Sequence, residues 1–332
     1  MYWAEREVEK MTYKSLTENM EPQIAAIQSR ICEIIAAVPA HEGMKALLRS
    51  VAENPGKMIR SRLMLLIAGE CGEAHRDELI ATAAALEMIH SSSLILDDMI
   101  DDSPLRRGKP TVQMQYGKPI ALCSGDYLLV TAFSSVLDRG YPESARELME
   151  AVQAACDGEM IQHENRWNVG VGEQAYWAAI RGKTAYAFLI ACRVACRITK
   201  RPVEEKKALE EYGLTLGMMF QLRDDLLDWT EEEAALGKPV NEDFAEGVYT
   251  LPAIFAFTRE GFGDRLRALA VKKTLSAEER MLSRQIIRDA GGVAYAEERL
   301  KTMGAAAEAA LQAVPESPCR DAMTGLVRLL EA

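Results

Sequence analysis

Leucine, alanine, methionine and glutamate recur along the whole chain at helical spacing, and alternating β-branched runs bounded by turns are missing. That pattern predicts helices throughout and no sheet. Helix breakers fall at 54–56, 69–72, 103–104, 118–119, 140–142, 169–172, Pro202, 237–239, 261–263 and 315–318. The punctuation predicts about ten helices or more. None of the breaks has the length or composition of an interdomain linker. The expectation is therefore an all-α fold in one domain, 1–332, with residues 1–20 loosely packed.

The apolar stretches at 83–96 and 212–222 both run straight into carboxylates. Leu96-Asp97-Asp98-Met99-Ile100-Asp101 is followed by Gly108-Lys109-Pro110, and Arg223-Asp224-Asp225-Leu226-Leu227-Asp228 is followed by Gly237-Lys238-Pro239. On a helix, positions i and i+4 lie one above the other, so Asp97 and Asp101 share a face, as do Asp224 and Asp228, with Asp98 and Asp225 turned by about 100°. Carboxylates packed this closely repel or neutralise unless a cation joins them. Oxygen-only ligands favour magnesium, with manganese a substitute, and magnesium is commonly shared between carboxylates and substrate phosphates. A single copy of such a string reads most simply as a solvated acidic helix end. Two copies on apolar helices, each followed by a glycine-lysine turn, favour a metal-diphosphate site.

Basic residues accompany the clusters: Lys57 and Arg60 upstream, Arg106, Arg107 and Lys109 just after the first cluster, then Lys183 and Lys238. Arginine forks match phosphate oxygens in pairs and lysine supplies point charge. Against this local pattern, the net charge of −11 over 332 residues argues against a nucleic-acid groove. The seven cysteines form no C-x-x-C pair and read as small apolar residues in a reducing cytoplasm. Charged residues between Met1 and Lys10 leave no secretory signal visible. No apolar run approaches the roughly 18 residues of a membrane span; the longest, 185–192, is cut by Arg193. Gly170-x-Gly172-x-x-Ala175 imitates a dinucleotide fingerprint but follows no strand, so it reads as a turn between helices. Of the histidines, only His90, seven residues before Asp97, faces the way the cluster does.

Together these strings resemble the trans-isoprenyl diphosphate synthases, the polyprenyl synthetase family, over about 56–252. The resemblance is carried by Gly56-Lys57-x-x-Arg60, His90 through the first aspartate string to Arg106-Arg107-Gly108-Lys109-Pro110-Thr111, Gly125-Asp126-Tyr127-Leu128, Gly158-Glu159-x-x-Gln162, Lys183-Thr184-Ala185, Phe220-Gln221-x-x-Asp224-Asp225-x-x-Asp228, Gly237-Lys238-Pro239 and Glu246-Gly247-x-x-Thr250-Leu251-Pro252. It implies a helical bundle of the isoprenoid synthase type with a central active-site cavity, and head-to-tail condensation of isopentenyl diphosphate with an allylic diphosphate. By the same resemblance Asp97, Asp101 and Asp224 would bind a magnesium cluster, assisted by Asp98, Asp225 and Asp228. Arg106, Lys183, Gln221 and Lys238 would contact the allylic diphosphate, and Gly56, Lys57, Arg60, His90 and Arg107 the isopentenyl diphosphate. Thr184 and Gln221 would stabilise the allylic cation. A homodimer is implied as well.

Three residues depart from the family's pattern: Met58 in place of a basic residue, Ser61 in place of proline, and Val248 in place of a lysine. Ser93 and Ser92, four and five positions before Asp97, are small where an aromatic would stop a growing chain, and Ile89 lies further down the same helix. They predict a medium or long all-trans product, with transient membrane contact for its release and no membrane span. A short-chain farnesyl or geranylgeranyl synthase, a terpene cyclase and a partner-dependent subunit of a heteromeric synthase are the rival readings. The residues of an isopentenyl site weigh against the cyclase, and two intact acidic clusters against the subunit.

Overall fold

A computed structural model describes residues 20–53, 56–69, 72–230, 241–272 and 274–332. Its helices are α1 (Glu21–Ala37), α2 (Glu42–Ala52), α3 (Ile59–Ala68), α4 (Glu73–Ile100), α5 (Val112–Tyr116), α6 (Lys118–Leu137), α7 (Pro142–Glu164), α8 (Glu173–Ile180), α9 (Tyr186–Ile198), α10 (Val203–Thr230), α11 (Glu242–Ala245), α12 (Leu251–Phe257), α13 (Gly263–Ala270), α14 (Ala277–Asp289), α15 (Gly292–Ala310) and α16 (Pro318–Glu331). A π-helical turn, Arg181–Ala185, joins α8 to α9. Between α4 and α5 the chain forms the ribbon β1 (Leu105–Arg106) and β2 (Lys109–Pro110). The all-α expectation holds. Most of the anticipated breakers sit at helix ends, and the turn anticipated at 169–172 leads into α8.

The described residues gather into two compact units, one within 20–152 with 190–206 and the other within 153–189 with 207–332. In the first unit, α4 presents alanines to its neighbours: Ala81, Ala83, Ala84 and Ala85 are buried, which lets helices approach closely. Arg197 of α9 ties the unit's edge together by reaching Glu78 of α4 at 2.9 Å and Glu147 of α7 at 3.0 Å. In the second unit, Trp229, Phe244, Tyr249 and Phe257 form an aromatic cluster under the end of α10. Tyr212 of α10 donates to the Met323 carbonyl of α16 at 2.8 Å, so its buried hydroxyl is satisfied.

Two helices are long and apolar enough to cross a membrane by length and composition: His75–Ile100 within α4 and all of α6, each with a mean hydropathy of 1.6. This corrects the expectation that no segment approaches such a span. Counting uninterrupted apolar runs hid both helices, because single polar residues such as Thr82, Glu87 and Asp126 interrupt them. Burial within the structure accounts for 72% of the apolar window in α4 but only 33% of that in α6.

Asp77 of α4 accepts from Arg139 at 2.6 Å and 3.1 Å, from Tyr141 at 2.8 Å and from Arg30 of α1 at 3.3 Å. The Arg139 hydrogen bond, outweighing burial, holds its carboxyl at about 2 against an ordinary 3.8. A depressed folded-state value means that the contribution is complete above the unfolded value and lost as pH falls through the folded one. Urea unfolding should therefore show stability falling between about pH 4 and 2, with a shallower fall in Asp77→Asn. Equal slopes in the two proteins would remove Asp77 as the cause.

Candidate active site

The first carboxylates close α4. Asp97 and Asp98 lie in its last turn, Asp101 is its C-cap, and that turn contains no basic residue. A helix C-terminus itself carries about half a negative charge, so the placement opposes the helix dipole and calls for a cation. Asp98 is buried; burial raises its pKa and Arg106 pulls it back. Arg106 Nε donates to Asp98 Oδ1 at 2.7 Å, and Gln113 donates to the Asp98 carbonyl at 2.6 Å.

The arginine pair is parted by the β1–β2 ribbon, whose two-residue turn has Arg107 at φ 52° and Gly108 at φ 74°, as primed hairpin turns require. Arg106 turns back to Asp98, whereas Arg107 lies against Gly56. A Cβ on Gly56 would stand 2.7 Å from Arg107 Nη2 and the residue has φ +75°, so glycine alone permits the approach. Next to it, Lys57 Nζ is buried with no hydrogen-bond partner among the described residues. Burial first, and Arg107 second, lower its pKa. Burial lowers that of Arg60 too, opposed by Glu87. His90 is held well below its ordinary value by burial, then by Arg60, Arg107 and Arg106, so its imidazole is neutral near pH 7. The structure thus groups Gly56, Lys57, Arg60, His90 and Arg107, the set that the family resemblance implies for isopentenyl diphosphate. A buried ammonium lacking a partner points to an anionic ligand.

Sequence reasoning did not name Glu87 of α4. It is buried and its Oε1 accepts from Ser61 Oγ at 2.6 Å and Ser61 N at 3.3 Å. Burial raises its pKa, and the Ser61 hydrogen bond and Arg60 oppose that rise. The serine that departs from the family's proline therefore supplies two donors which proline lacks. Met58, another departure, is a buried residue at φ 47°. A cationic side chain there would enter the core.

The second carboxylates end α10, whose last turn again has no basic residue. Asp224 is exposed, while Asp225 and Asp228 are buried. Asp228 Oδ1 accepts from Asn241 N at 3.1 Å, and Arg284 and Arg288 of α14 donate to the Trp229 carbonyl at 2.8 Å and 3.1 Å. Asp225 accepts from Tyr176 Oη at 2.6 Å and from Gln221 Nε2 at 2.8 Å. Burial, then the nearby Asp243, push its pKa up to about 8, against the pull of those two hydrogen bonds.

Lys183 and Thr184 sit in the π-helical turn, whose backbone packs on α7. A Cβ on Gly158 would lie 2.3 Å from Lys183 N, and one on Gly182 2.4 Å from Ala154 O. Such turns recur at functional sites because they shift side chains out of α register. Lys183 pairs with Glu159 at 2.5 Å, and Thr184 Oγ1 donates to Gln221 Oε1 at 2.7 Å. Gly237, Lys238 and Pro239 lie outside the described residues. Ser92 is buried, donating to the Gly125 carbonyl of α6 at 2.8 Å. Ser93 is half-buried, donating to the His90 carbonyl at 2.9 Å. Ile89 is buried.

Among the described residues no three His, Cys, Asp or Glu side chains converge into a preformed metal cage. Carboxylates set on helix ends beside guanidinium and ammonium groups suit instead a hard cation that takes part of its coordination from phosphate oxygens.

Residues 41–287 match the polyprenyl synthetase family. The chain belongs to that family. It is 34% identical to a short chain isoprenyl diphosphate synthase of Methanothermobacter thermautotrophicus over 81% of this chain and 83% of that protein. It is 31% identical to the octaprenyl diphosphate synthase of Escherichia coli over 84% and 86%. The structure is similar, with a TM-score of 0.84 and 26% identity over 96% of this chain and 97% of the other, to a polyprenyl synthase from Caulobacter crescentus complexed with calcium and isoprenyl diphosphate. The protein is accordingly a prenyltransferase, and the family binds diphosphate with a divalent metal.

Truncating Ser61 to alanine removes the hydroxyl donor to buried Glu87 and leaves only the backbone N–H. Ser61→Ala should lose about 1–3 kcal/mol in denaturant unfolding, and Ser61→Pro more, since both donors go. Wild-type stability in the alanine variant would show that the Ser61 hydroxyl adds nothing.

Proposed function

We propose that this prenyltransferase condenses isopentenyl diphosphate with an allylic diphosphate, head to tail, to give a medium or long all-trans polyprenyl diphosphate. The observation carrying this reading is the buried Lys57 ammonium, without a hydrogen-bond partner among the described residues, beside Arg60, His90 and Arg107. This cationic group supports a second anion site beside the carboxylates of α4, which two-substrate condensation requires and cyclisation of one diphosphate does not.

In this reading Gly56, Lys57, Arg60, His90 and Arg107 hold isopentenyl diphosphate. Neutral His90 donates a hydrogen bond without adding charge to an already cationic group. Arg106, Lys183, Gln221 and Lys238 hold the allylic diphosphate. Magnesium, or manganese in its place, would be held by Asp97, Asp101 and Asp224, assisted by Asp98, Asp225 and Asp228, and would supply charge stabilisation to the leaving diphosphate. The allylic carbon–oxygen bond breaks, the isopentenyl double bond attacks the allylic carbon, and a proton leaves the new chain for the departing diphosphate. Preorganised cations favour the charge developing on that leaving group, and Thr184 and Gln221 turn dipoles toward the allylic carbon. Before substrate binds, Lys183 is paired with Glu159, so the diphosphate competes with that carboxylate.

The reading takes 1–332 as one catalytic domain acting in the cytoplasm as a homodimer. Support for the dimer comes from the exposed apolar side chains of α6, Ile120, Leu122, Val130 and Leu137, which suit a second copy of the chain. Ser93 is the better position for testing the length ruler, because Ser92 is closed against α6.

Purified protein incubated with magnesium, labelled isopentenyl diphosphate and allylic primers should yield a ladder of dephosphorylated products ending at one chain length. Primer consumption without isopentenyl incorporation would point to a cyclase, and absence of turnover to a partner-dependent subunit. Asp224→Asn should lower kcat by roughly a hundredfold or more. Ser93→Phe should shorten the terminal product; an unchanged ladder would take the ruler off α4.

A further inference from the structure

The second unit contains a hydrogen-bonded series that links a residue outside the acidic string to both groups placed at the allylic carbon. Tyr176 of α8 donates to Asp225 Oδ2 at 2.6 Å, Gln221 donates through Nε2 to Asp225 Oδ1 at 2.8 Å, and Thr184 donates to Gln221 Oε1 at 2.7 Å. Tyr176, Thr184 and Asp225 are buried, and Tyr176 packs edge-on against Trp177 with ring centroids 4.8 Å apart.

The series has a direction. Asp225 Oδ1 accepts whichever proton state Oδ2 adopts, so it selects the Gln221 rotamer whose nitrogen points at Asp225 and whose oxygen points at Thr184. That oxygen in turn draws the Thr184 hydroxyl proton to itself. Lone pairs, the negative end of the dipole, are then what the Thr184 oxygen has left to present elsewhere. Were the amide reversed, its nitrogen would face Thr184 and the hydroxyl proton would turn outward, which repels a developing carbocation.

We propose that Tyr176 is a positioning residue for the condensation: by fixing the Asp225 carboxyl it sets the orientation of the Gln221 amide and so the polarity that Thr184 offers to the allylic cation. Asp225 then acts through Gln221, with one oxygen committed to Tyr176 and the other to the amide. The assignment rests on the prenyltransferase reading above and adds to it a residue seven positions before Lys183 that touches neither diphosphate.

Tyr176→Phe keeps the ring and removes the donor. Its kcat should fall about tenfold, with KM for both substrates and the magnesium concentration for half-maximal rate within about twofold of wild type. In a double-mutant cycle with Thr184→Val the losses should be far from multiplicative, because both changes disable one unit. Thr184→Ser, which retains the hydroxyl, should recover most of the rate lost in Thr184→Val. An unchanged kcat in Tyr176→Phe, or losses that multiply, would overturn the proposal, as would a loss confined to the magnesium requirement. Should the phenylalanine variant lack a cooperative unfolding transition, the Thr184 pair decides: equal loss in valine and serine variants overturns it, and recovery in serine alone supports it. Failure of the wild-type protein to form any ladder would defeat the prenyltransferase reading itself, whereas a normal wild-type ladder with an unaffected Tyr176→Phe defeats only this assignment.

Discussion

Acidic residues at the wrong end of a helix are the constraint around which both units are organised. α4 and α10 each deliver carboxylates to a C-terminus that already carries partial negative charge, and neither has a basic residue in its last turn. Each unit answers part of that cost with its own donors. Arg106 reaches Asp98, Asn241 N reaches Asp228, and Tyr176 and Gln221 share Asp225. In both strings the second aspartate is turned inward and held by protein groups, and in the second string Asp228 is buried as well. Positions i and i+1 are separated by about 100°, so when Asp97 or Asp224 faces outward its successor points into the packing.

Positioning of the basic groups depends on backbone that leaves regular α geometry. The ribbon after α4 turns through two residues of positive φ, Arg107 and Gly108, and thereby sends neighbouring arginines apart, Arg106 to Asp98 and Arg107 against Gly56. The π-helical turn does the corresponding work for Lys183 and Thr184. Its backbone is pressed onto α7 at Gly158 and Gly182, where even a methyl group would collide with main-chain atoms. Rigid main chain at these points keeps long cationic side chains close to one geometry, lowering the ordering cost when an anion binds.

Burial is the third element, and it changes what each group can do. His90 stays neutral among cations, Lys57 is a buried ammonium whose pKa is lowered by desolvation, and Glu87 is kept in place by Ser61. These are effects of desolvation more than of local sequence, and they explain why Ser61 and Met58, which depart from the family's pattern, are compatible with the same arrangement. Met58 fills core, and Ser61 supplies donors to a carboxylate that proline would leave without them.

The all-helical class, most helix boundaries and both carboxylate triplets were legible in the chain itself, because helical periodicity and i, i+4 spacing are local properties carried by residues such as Asp97 and Asp101. Grouping of Gly56, Lys57, Arg60, His90 and Arg107 was legible only through family resemblance, since no periodicity joins positions so far apart. Tyr176 and Glu87 carried no sequence signal at all. Their partners, Asp225 and Ser61, are 49 and 26 residues away, and a buried hydroxyl or carboxyl gains its meaning from what packs beside it. The apolarity of α4 and α6 was masked in the chain by isolated polar residues, and only packing separated a helix whose apolar window is mostly buried from one in which a third of it is. Local spacing decided where the acidic groups stand; tertiary packing decided which of them are buried and which protein groups they accept from, because desolvation and hydrogen-bond supply depend on neighbours that the linear order does not name.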